Sequence, residues 1–313
     1  MKIQRMIATV ALGLSLGITG PALAQYSFTS IDVPGATVTA AFGINSASQI
    51  VGNYLDASGG THGYLLSGGI FTPLNVPGAS LTSTTGINAA GNIVGTYLDA
   101  SGIFHGYLLN GGIFTPLNVP GALGTNAGGI NAADNIVGTY LDASGIFHGF
   151  LLSGGTFTTL NAPGAVNTVA FGINGSDEIV GTYFDATSHQ HGFLFSGGTY
   201  TPLDVPGAMN TQAFGDNDAD DIVGGTVDGE GFLLRGGIYT PFNFPGAVST
   251  DAIGINNFGQ IVGDWDDANG GGHGFLATPV PEPSSLTLTG LGLLTSLGYG
   301  WRRHRRRREK GMF

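Results

Sequence analysis

The sequence predicts an all-β fold in which six repeated units close into a six-bladed β-propeller, followed by a C-terminal transmembrane helix. One set of short motifs recurs six times along the chain. The repeat length matches that of a four-stranded propeller blade. The repeated region also contains no helical apolar pattern longer than about two turns. These three observations favour strands over helices throughout the body of the chain.

Each unit opens with an aromatic residue followed by threonine, and the openings are 43 residues apart four times and 39 apart once. Pro-Gly-Ala and Ile-Val-Gly motifs follow in every unit, with Gly-Ile-Asn between them in five of the six, before a closing Gly-Phe-Leu or Gly-Tyr-Leu. The six-repeat domain spans 25–278. Its units run at about 26–70, 71–113, 114–156, 157–199, 200–238 and 239–278.

The third unit illustrates the expected local structure. Pro120-Gly121 suits the two central positions of a type II turn, and the chain is expected to turn again around Gly129-Ile130-Asn131. Strands are predicted at 114–119, 136–141 and 148–152. Four short strands fit one unit. Radial repetition protects strand edges, which favours a propeller, while a linear β-solenoid or a row of small sheets stays open as the alternative.

The repeats resemble the HAF family of extracellular repeats, in which Gly-Ile-Asn, Ile-Val-Gly and a histidine-containing close recur in this order. The family's His-Ala-Phe triplet corresponds here to His62-Gly63-Tyr64 and to the triplets that begin at His105, His148, His191 and His273. The fifth unit departs, because its loop is four residues shorter and Glu230 replaces the histidine. The resemblance implies an extracellular location and no particular activity.

Residues 1–24 have the pattern of a secretory signal peptide. Lys2 and Arg5 precede an apolar stretch at 6–17, and Ala22-Leu23-Ala24 follows it. We expect signal peptidase to cleave between Ala24 and Gln25. The apolar stretch is short for a membrane span, so a retained anchor is the weaker alternative.

Residues 279–313 have three ordered features. Pro281, Glu282 and Pro283 form a short motif, an apolar segment predicted as a transmembrane helix occupies 286–301, and an arginine-rich end follows. This order resembles the PEP-CTERM sorting signal, whose Val-Pro-Glu-Pro motif matches 280–283. The resemblance implies processing by an exosortase after transient anchoring in the inner membrane, with a final location at the cell surface or outside the cell.

The body of the chain is strongly acidic. Residues 25–278 contain 19 of the 21 acidic residues and a single basic residue, Arg235, so this region has a net charge of −18. Such a surface repels phosphate backbones, which excludes nucleic acid as a partner. The chain contains no cysteine, so its stability depends on packing and strand pairing alone.

Five histidines each follow an aspartate by six residues, and a hairpin would bring each pair together. An aspartate that orients an imidazole is typical of metal binding or proton transfer. Repetition of the same pair in five units favours a structural role instead. The pairs are Asp56/His62, Asp99/His105, Asp142/His148, Asp185/His191 and Asp267/His273.

Two aspartate clusters interrupt the repeat and are weak candidates for a calcium site. Asp216, Asp218 and Asp220 alternate in the first cluster, and Asp264 and Asp266 in the second. Calcium prefers hard oxygen ligands, although neither cluster matches an EF-hand loop. We predict no other cofactor, no confident metal ligand and no catalytic residue.

The sequence therefore favours a structural or binding protein of the cell envelope or exopolysaccharide matrix over an enzyme. Nucleophile-elbow and phosphate-binding motifs are absent from residues 25–278. Two alternatives stay open, a carbohydrate-active propeller enzyme and a calcium-dependent adhesin. Extracellular polysaccharide is the partner that we expect outside the cell.

Overall fold

A computed structural model of the chain describes residues 25–280, which contain 24 β-strands. In chain order the strands are β1 (Tyr26–Ile31), β2 (Val38–Ile44), β3 (Ile50–Leu55), β4 (Thr61–Ser67), β5 (Ile70–Leu74), β6 (Leu81–Ile87), β7 (Ile93–Leu98), β8 (Phe104–Asn110), β9 (Ile113–Leu117), β10 (Gly124–Ile130), β11 (Ile136–Leu141), β12 (Phe147–Ser153), β13 (Thr156–Leu160), β14 (Asn167–Ile173), β15 (Ile179–Phe184), β16 (Gln190–Ser196), β17 (Thr199–Leu203), β18 (Thr211–Asp216), β19 (Ile222–Thr226), β20 (Gly231–Arg235), β21 (Ile238–Pro241), β22 (Ser249–Ile255), β23 (Ile261–Asp266) and β24 (Gly272–Pro279).

The strands form six antiparallel four-stranded sheets arranged as blades in a ring, which confirms the predicted six-bladed β-propeller. Blades 1 to 5 are β2–β5, β6–β9, β10–β13, β14–β17 and β18–β21. Blade 6 combines the two ends of the ring in the order β1-β24-β23-β22. The linear arrangement that the sequence left open is therefore excluded.

Pairing between the first and last strands closes the ring. β1 lies antiparallel to β24, from Tyr26 opposite Pro279 to Ile31 opposite Gly274. The repeats and the blades consequently differ in phase by one strand. Phe71, which opens the second repeat, lies in β5, the outermost strand of blade 1. Each repeat thus supplies the outer strand of the preceding blade.

The first strand of each of blades 1 to 5, together with β22 in blade 6, surrounds a central channel. The turns between the first and second strands of each blade lie at one end of the ring. We call this end the asparagine face, because an asparagine begins each of these turns. The opposite end, with the turns between the second and third strands, is the histidine face.

The hydrophobic core is divided into six clusters, each shared by two neighbouring blades. In blade 3, the fully buried Phe150 lies opposite Gly138 of the neighbouring strand. A Cβ atom on Gly138 would lie 2.8 Å from the ring of Phe150. The Ile-Val-Gly and Gly-Phe motifs therefore recur together because the aromatic ring covers the glycine.

The Pro-Gly turns have the predicted geometry. Gly121 has a φ of 80°, and the N–H of Ala122 donates to the carbonyl of Val119 at 3.1 Å. The hydroxyl oxygen of the buried Thr125 then accepts a hydrogen bond from the N–H of Val119 at 3.0 Å. This bond fixes the crossing from blade 2 to the inner strand of blade 3.

One local prediction was wrong in its position. Gly129 and Ile130 belong to β10, and the turn begins only at Asn131. A register shift between Ala127 and Gly129 adds one residue to the inner strand and lengthens it beyond the expected turn. Within the described part of the chain, the search for a helix of membrane-spanning length and apolarity gave none. The predicted signal peptide and transmembrane helix lie outside the described residues.

Candidate functional site

The histidine face contains the five predicted Asp/His pairs, and the structure brings every pair together. The histidine Nε2 to aspartate Oδ2 distances are 2.9, 3.1, 3.2, 3.5 and 3.8 Å for His62, His105, His148, His191 and His273 respectively. In blade 1, the other ring nitrogen of His62 lies 2.9 Å from Oδ1 of Asn75. Both ring nitrogens of His62 are thus engaged, which leaves neither free for a metal.

An aromatic ring also packs on each paired histidine. Tyr54, Tyr97, Tyr140, Tyr183 and Trp265 occupy this position, with centroid distances of 4.6 to 5.2 Å. In blade 6 the Nδ1 partner is Oδ1 of Asp32, which directly follows β1, at 2.7 Å. The contact links the two ends of the ring. The geometry supports the structural interpretation of the pairs.

Substitution of His62 by glutamine is expected to remove a pH-dependent part of the stability. Hydrogen bonds to Asp56 and Asn75 raise the pKa of His62 above its ordinary value of 6.5. The folded pKa exceeds the unfolded one, so the stabilisation is complete below pH 6.5 and is lost as the pH rises through the folded value. Thermal denaturation across this range measures the effect. His189→Gln removes an exposed histidine outside the repeated pairs and is the control.

The channel is the second candidate site, with a volume of about 470 Å³ and an opening toward the asparagine face. This volume falls within the range of roughly 300 to 1,000 Å³ that is typical of small-molecule sites. Its wall differs from blade to blade at one equivalent position, which is occupied by Phe42, Thr85, Gly128, Phe171, Phe214 and Ile253. The rings of Phe171 and Phe214 contact each other edge to face, with centroids 5.3 Å apart.

Six asparagines form a closed hydrogen-bonded ring around the channel mouth. Each side-chain amide donates to the backbone carbonyl of the next asparagine, at 3.0 Å for Asn45, 3.1 Å for Asn88, 3.0 Å for Asn131, 3.3 Å for Asn174, 3.1 Å for Asn217 and 3.0 Å for Asn256. The sequence marked Gly-Ile-Asn only as a turn. Its asparagine in fact links neighbouring blades.

Asp216 lies in the wall of this channel, where the other five units have an isoleucine. Both carboxylate oxygens are buried, and neither has a hydrogen-bond partner among the described residues. Burial, then the negative charges of Glu178 and Asp218, raise the pKa of Asp216 well above its ordinary value. The equivalent isoleucines are Ile44, Ile87, Ile130, Ile173 and Ile255.

The other members of the first aspartate cluster have different partners. Asp218 accepts hydrogen bonds from the N–H of Gly175 at 2.7 Å and from the side-chain amide of Asn257 at 2.6 Å. Asp220 lies beside Glu178 at the junction of blades 4 and 5. The structure therefore separates the three alternating aspartates.

The second cluster also divides, and it includes an aspartate that the sequence analysis missed. Asp266 accepts a hydrogen bond from the hydroxyl of Ser249 at 2.7 Å. Asp264 instead lies directly opposite Asp251 on the neighbouring inner strand. Asp251 occupies the space that a side chain at Gly225 would fill, since a Cβ atom there would overlap its Oδ1. Aligning the six units would have revealed both Asp251 and Gly225.

Replacement of Asp264 by asparagine is expected to stabilise the ring above neutral pH. Burial, then the charges of Asp251 and Asp266, raise the pKa of Asp264 from 3.8 to about 7. Between these values folding takes up a proton, so wild-type stability falls as the pH rises through this window, and the loss is complete above it. The asparagine variant lacks this titration. Chemical denaturation at several pH values compares the two, and parallel profiles would contradict the assignment.

These carboxylates do not form a metal cluster. In residues 25–280, no group of three or more His, Cys, Asp or Glu side chains has a geometry that could hold a metal ion. The calcium site stays a prediction. Of the residues predicted for processing, Gln25 is exposed, whereas Ala24, Pro281, Glu282 and Pro283 lie outside the described residues.

Comparison with known families identifies the C-terminal segment. A family model described as the PEP-CTERM protein-sorting motif matches residues 279–307. This match implies export, a membrane-anchored stage and processing by an exosortase. The search of curated proteins gave no match. The similarity of the repeats to the HAF family stays a prediction.

Comparison with solved structures supports the fold. The Aleuria aurantia lectin, in a variant complexed with Fucα1-6GlcNAc, matches with a TM-score of 0.50 and 13% identity, over 80% of this chain and 98% of the lectin. AofleA from Arthrobotrys oligospora has a TM-score of 0.49 and 12% identity, over 81% and 83% of the two chains. TolB from Acinetobacter baumannii has a TM-score of 0.48 and 13% identity, over 77% and 54%. At 13% identity the similarity to the Aleuria aurantia lectin concerns the fold alone.

Proposed function

We propose that this chain is an exported surface or matrix protein whose channel binds extracellular polysaccharide. The main supporting observation is that some positions are the same in all six repeats, whereas a few carry an acidic residue in only one repeat. Packing explains positions that recur in every blade, such as the Gly138–Phe150 pair. Packing does not explain the partly buried acids Asp216, Asp251 and Asp264, all of which line the channel. A ligand in the channel accounts for them.

The sorting motif supports the cellular part of the proposal. In this scheme signal peptidase cleaves after Ala24, and the segment 286–301 holds the chain in the inner membrane until an exosortase processes the tail. The ring then resides at the cell surface or outside the cell. Its acidic body, with Arg235 as its one Lys or Arg residue, suits a soluble, non-aggregating component of a matrix.

A glycan array probed with the purified full chain tests the binding function. Phe171→Ala removes a ring from the channel wall, and His148→Gln is the control on the opposite face. We expect the alanine variant to lose binding and the glutamine variant to keep it. Binding that depends on His148 and ignores Phe171 would contradict a channel site. Loss of binding with a chelator would favour the calcium-dependent adhesin instead.

A carbohydrate-active enzyme is the second candidate, because Asp251 and Asp264 face each other across two strands. Glycoside hydrolysis uses two carboxyl groups, one of them protonated near neutral pH, and the raised pKa of Asp264 suits that acid. Release of reducing ends from a polysaccharide panel, lost in Asp264→Asn, would establish activity. Turnover that persists in this variant would remove the pair from consideration.

A further inference from the structure

The buried carboxylate of Asp216 has no counter-charge from the chain itself. Arg235 is the only Lys or Arg residue in the body. Its guanidinium is paired with Asp221 through two hydrogen bonds, of 2.8 and 2.7 Å. The paired histidines lie at the histidine face, each beside its own aspartate. A buried carboxylate without a partner is costly, so its retention in place of isoleucine requires a reason.

Neighbouring acidic residues make the electrostatic potential around Asp216 more negative. Oδ1 lies over Gly172 of blade 4, where an added Cβ atom would be 3.0 Å away. Glu178, Asp218 and Asp220 all act on Asp216 as negative charges. The negative charges of four acidic side chains therefore act on the region where blade 4 joins blade 5. The equivalent position of blade 4 holds Ile173, which packs with Val137 of the preceding blade.

Aromatic rings flank the same part of the channel. Phe171 belongs to blade 4 and Phe214 to blade 5, and both line the cavity with Asp216. The faces of aromatic rings attract cations, most strongly where water is excluded. A carboxylate beside aromatic rings is the combination that recognises an organic ammonium group. Calcium would need six to eight oxygen ligands instead. The described residues offer no cluster suited to a metal.

We infer that the channel binds a carbohydrate with a free primary ammonium group, an amino sugar, and that Asp216 is the counter-ion of that group. This assignment rests on the proposed polysaccharide-binding function and specifies its ligand. The ammonium supplies the positive charge that the chain lacks at this junction. Phe171 and Phe214 contact the sugar and exclude water from the ion pair. A neutral sugar would supply no positive charge, and burial would then keep Asp216 protonated.

Calorimetric titration of the full chain with two trisaccharides tests the inference. The glucosamine trimer has free ammonium groups, whereas the N-acetylglucosamine trimer has the same backbone with neutral amides. We expect the glucosamine trimer to bind at least about tenfold more tightly, which is the effect of one charge-assisted hydrogen bond. Asp216→Asn should abolish this preference. Asp228→Asn, which removes one exposed charge in the same blade, should preserve it.

Asp216→Ile supplies the residue of the other five units and separates binding from folding. We expect this variant to melt at a higher temperature than the wild type and to lose the preference for the glucosamine trimer. A lower melting temperature would show that Asp216 supports the fold, which would overturn its role as counter-ion for a ligand.

The failures of the two proposals are distinguishable. Equal binding of both trimers would overturn the ammonium assignment and leave polysaccharide binding intact. If other glycans on the array bound and the glucosamine trimer did not, the ammonium assignment alone would again be overturned. Absence of binding to every glycan would overturn the polysaccharide-binding function and the assignment that rests on it.

Discussion

Deletion of β1, residues Tyr26–Ile31, is expected to cost the ring at least about 5 kcal/mol of stability. The deletion removes the backbone ladder to β24 and exposes the surface that Ile31 and Phe28 cover. Two large apolar side chains contribute about 1.5–3 kcal/mol each, and each lost hydrogen bond adds about 1 kcal/mol. Typical domains have about 5–15 kcal/mol in total. Circular dichroism during urea denaturation should therefore show a largely unfolded variant.

A circular permutant provides the matched control. Gly68-Gly69 joins β4 to β5, so the same dipeptide placed between Pro279 and Tyr26 should join β24 to β1. The new ends are placed between Asp32 and Val33. Compared with residues 25–280 in their native order, this permutant should keep a single cooperative transition with a similar midpoint. A permutant as unstable as the deletion variant would contradict the closure by β1.

Replacement of Asn131 by alanine is expected to destabilise the ring by about 2–4 kcal/mol. The side-chain oxygen of Asn131 accepts hydrogen bonds from Ala133 and Asn135, at 3.0 and 3.1 Å. Its amide donates to the carbonyl of Asn174 at 3.0 Å and to Asp177 at 2.7 Å. Alanine leaves backbone groups at a blade junction without partners, at about 1–3 kcal/mol for each buried group. Chemical denaturation measures the difference.

Asn135→Ala is the control for this asparagine. Its side chain shares the partner Asp177, through one hydrogen bond of 2.7 Å, but lies at a more exposed position. We expect a loss below about 1 kcal/mol, because water replaces an exposed partner. Similar losses in the two variants would mean that the asparagine ring contributes no more than an ordinary surface contact.

Much of the fold was predictable because each blade is built from local signals. The Pro120-Gly121 turn, the strand from Ile136 to Leu141 and the pairing of Asp142 with His148 follow from residues that are neighbours in sequence. The phase of the blades was not predictable in the same way. A periodic pattern has no internal starting point, and only the pairing of β1 with β24 shows where each blade begins.

The sequence analysis missed the asparagine ring and the Asp251–Asp264 pair for a related reason. The amide of Asn131 bonds across a blade junction, to a residue one full repeat away. Asp251 fits only because Gly225 of the preceding blade leaves space. Both contacts depend on how neighbouring blades are placed. The aspartates that the sequence singled out as alternating ligands have different partners, which depend on residues far away in the sequence.

Blade 6 takes strands from both ends of the described chain, so the ring cannot close until β24 is available. The strands of blades 1 to 5 are consecutive in the chain, so each of these blades has all of its strands before β24 is reached. β1 is the first strand of the ring in the chain, yet its partner β24 is the last. Contacts between residues so distant in sequence form slowly. The match to the sorting motif begins at 279, where β24 ends. A chain that has been synthesised as far as the sorting motif therefore already contains every strand that the ring needs.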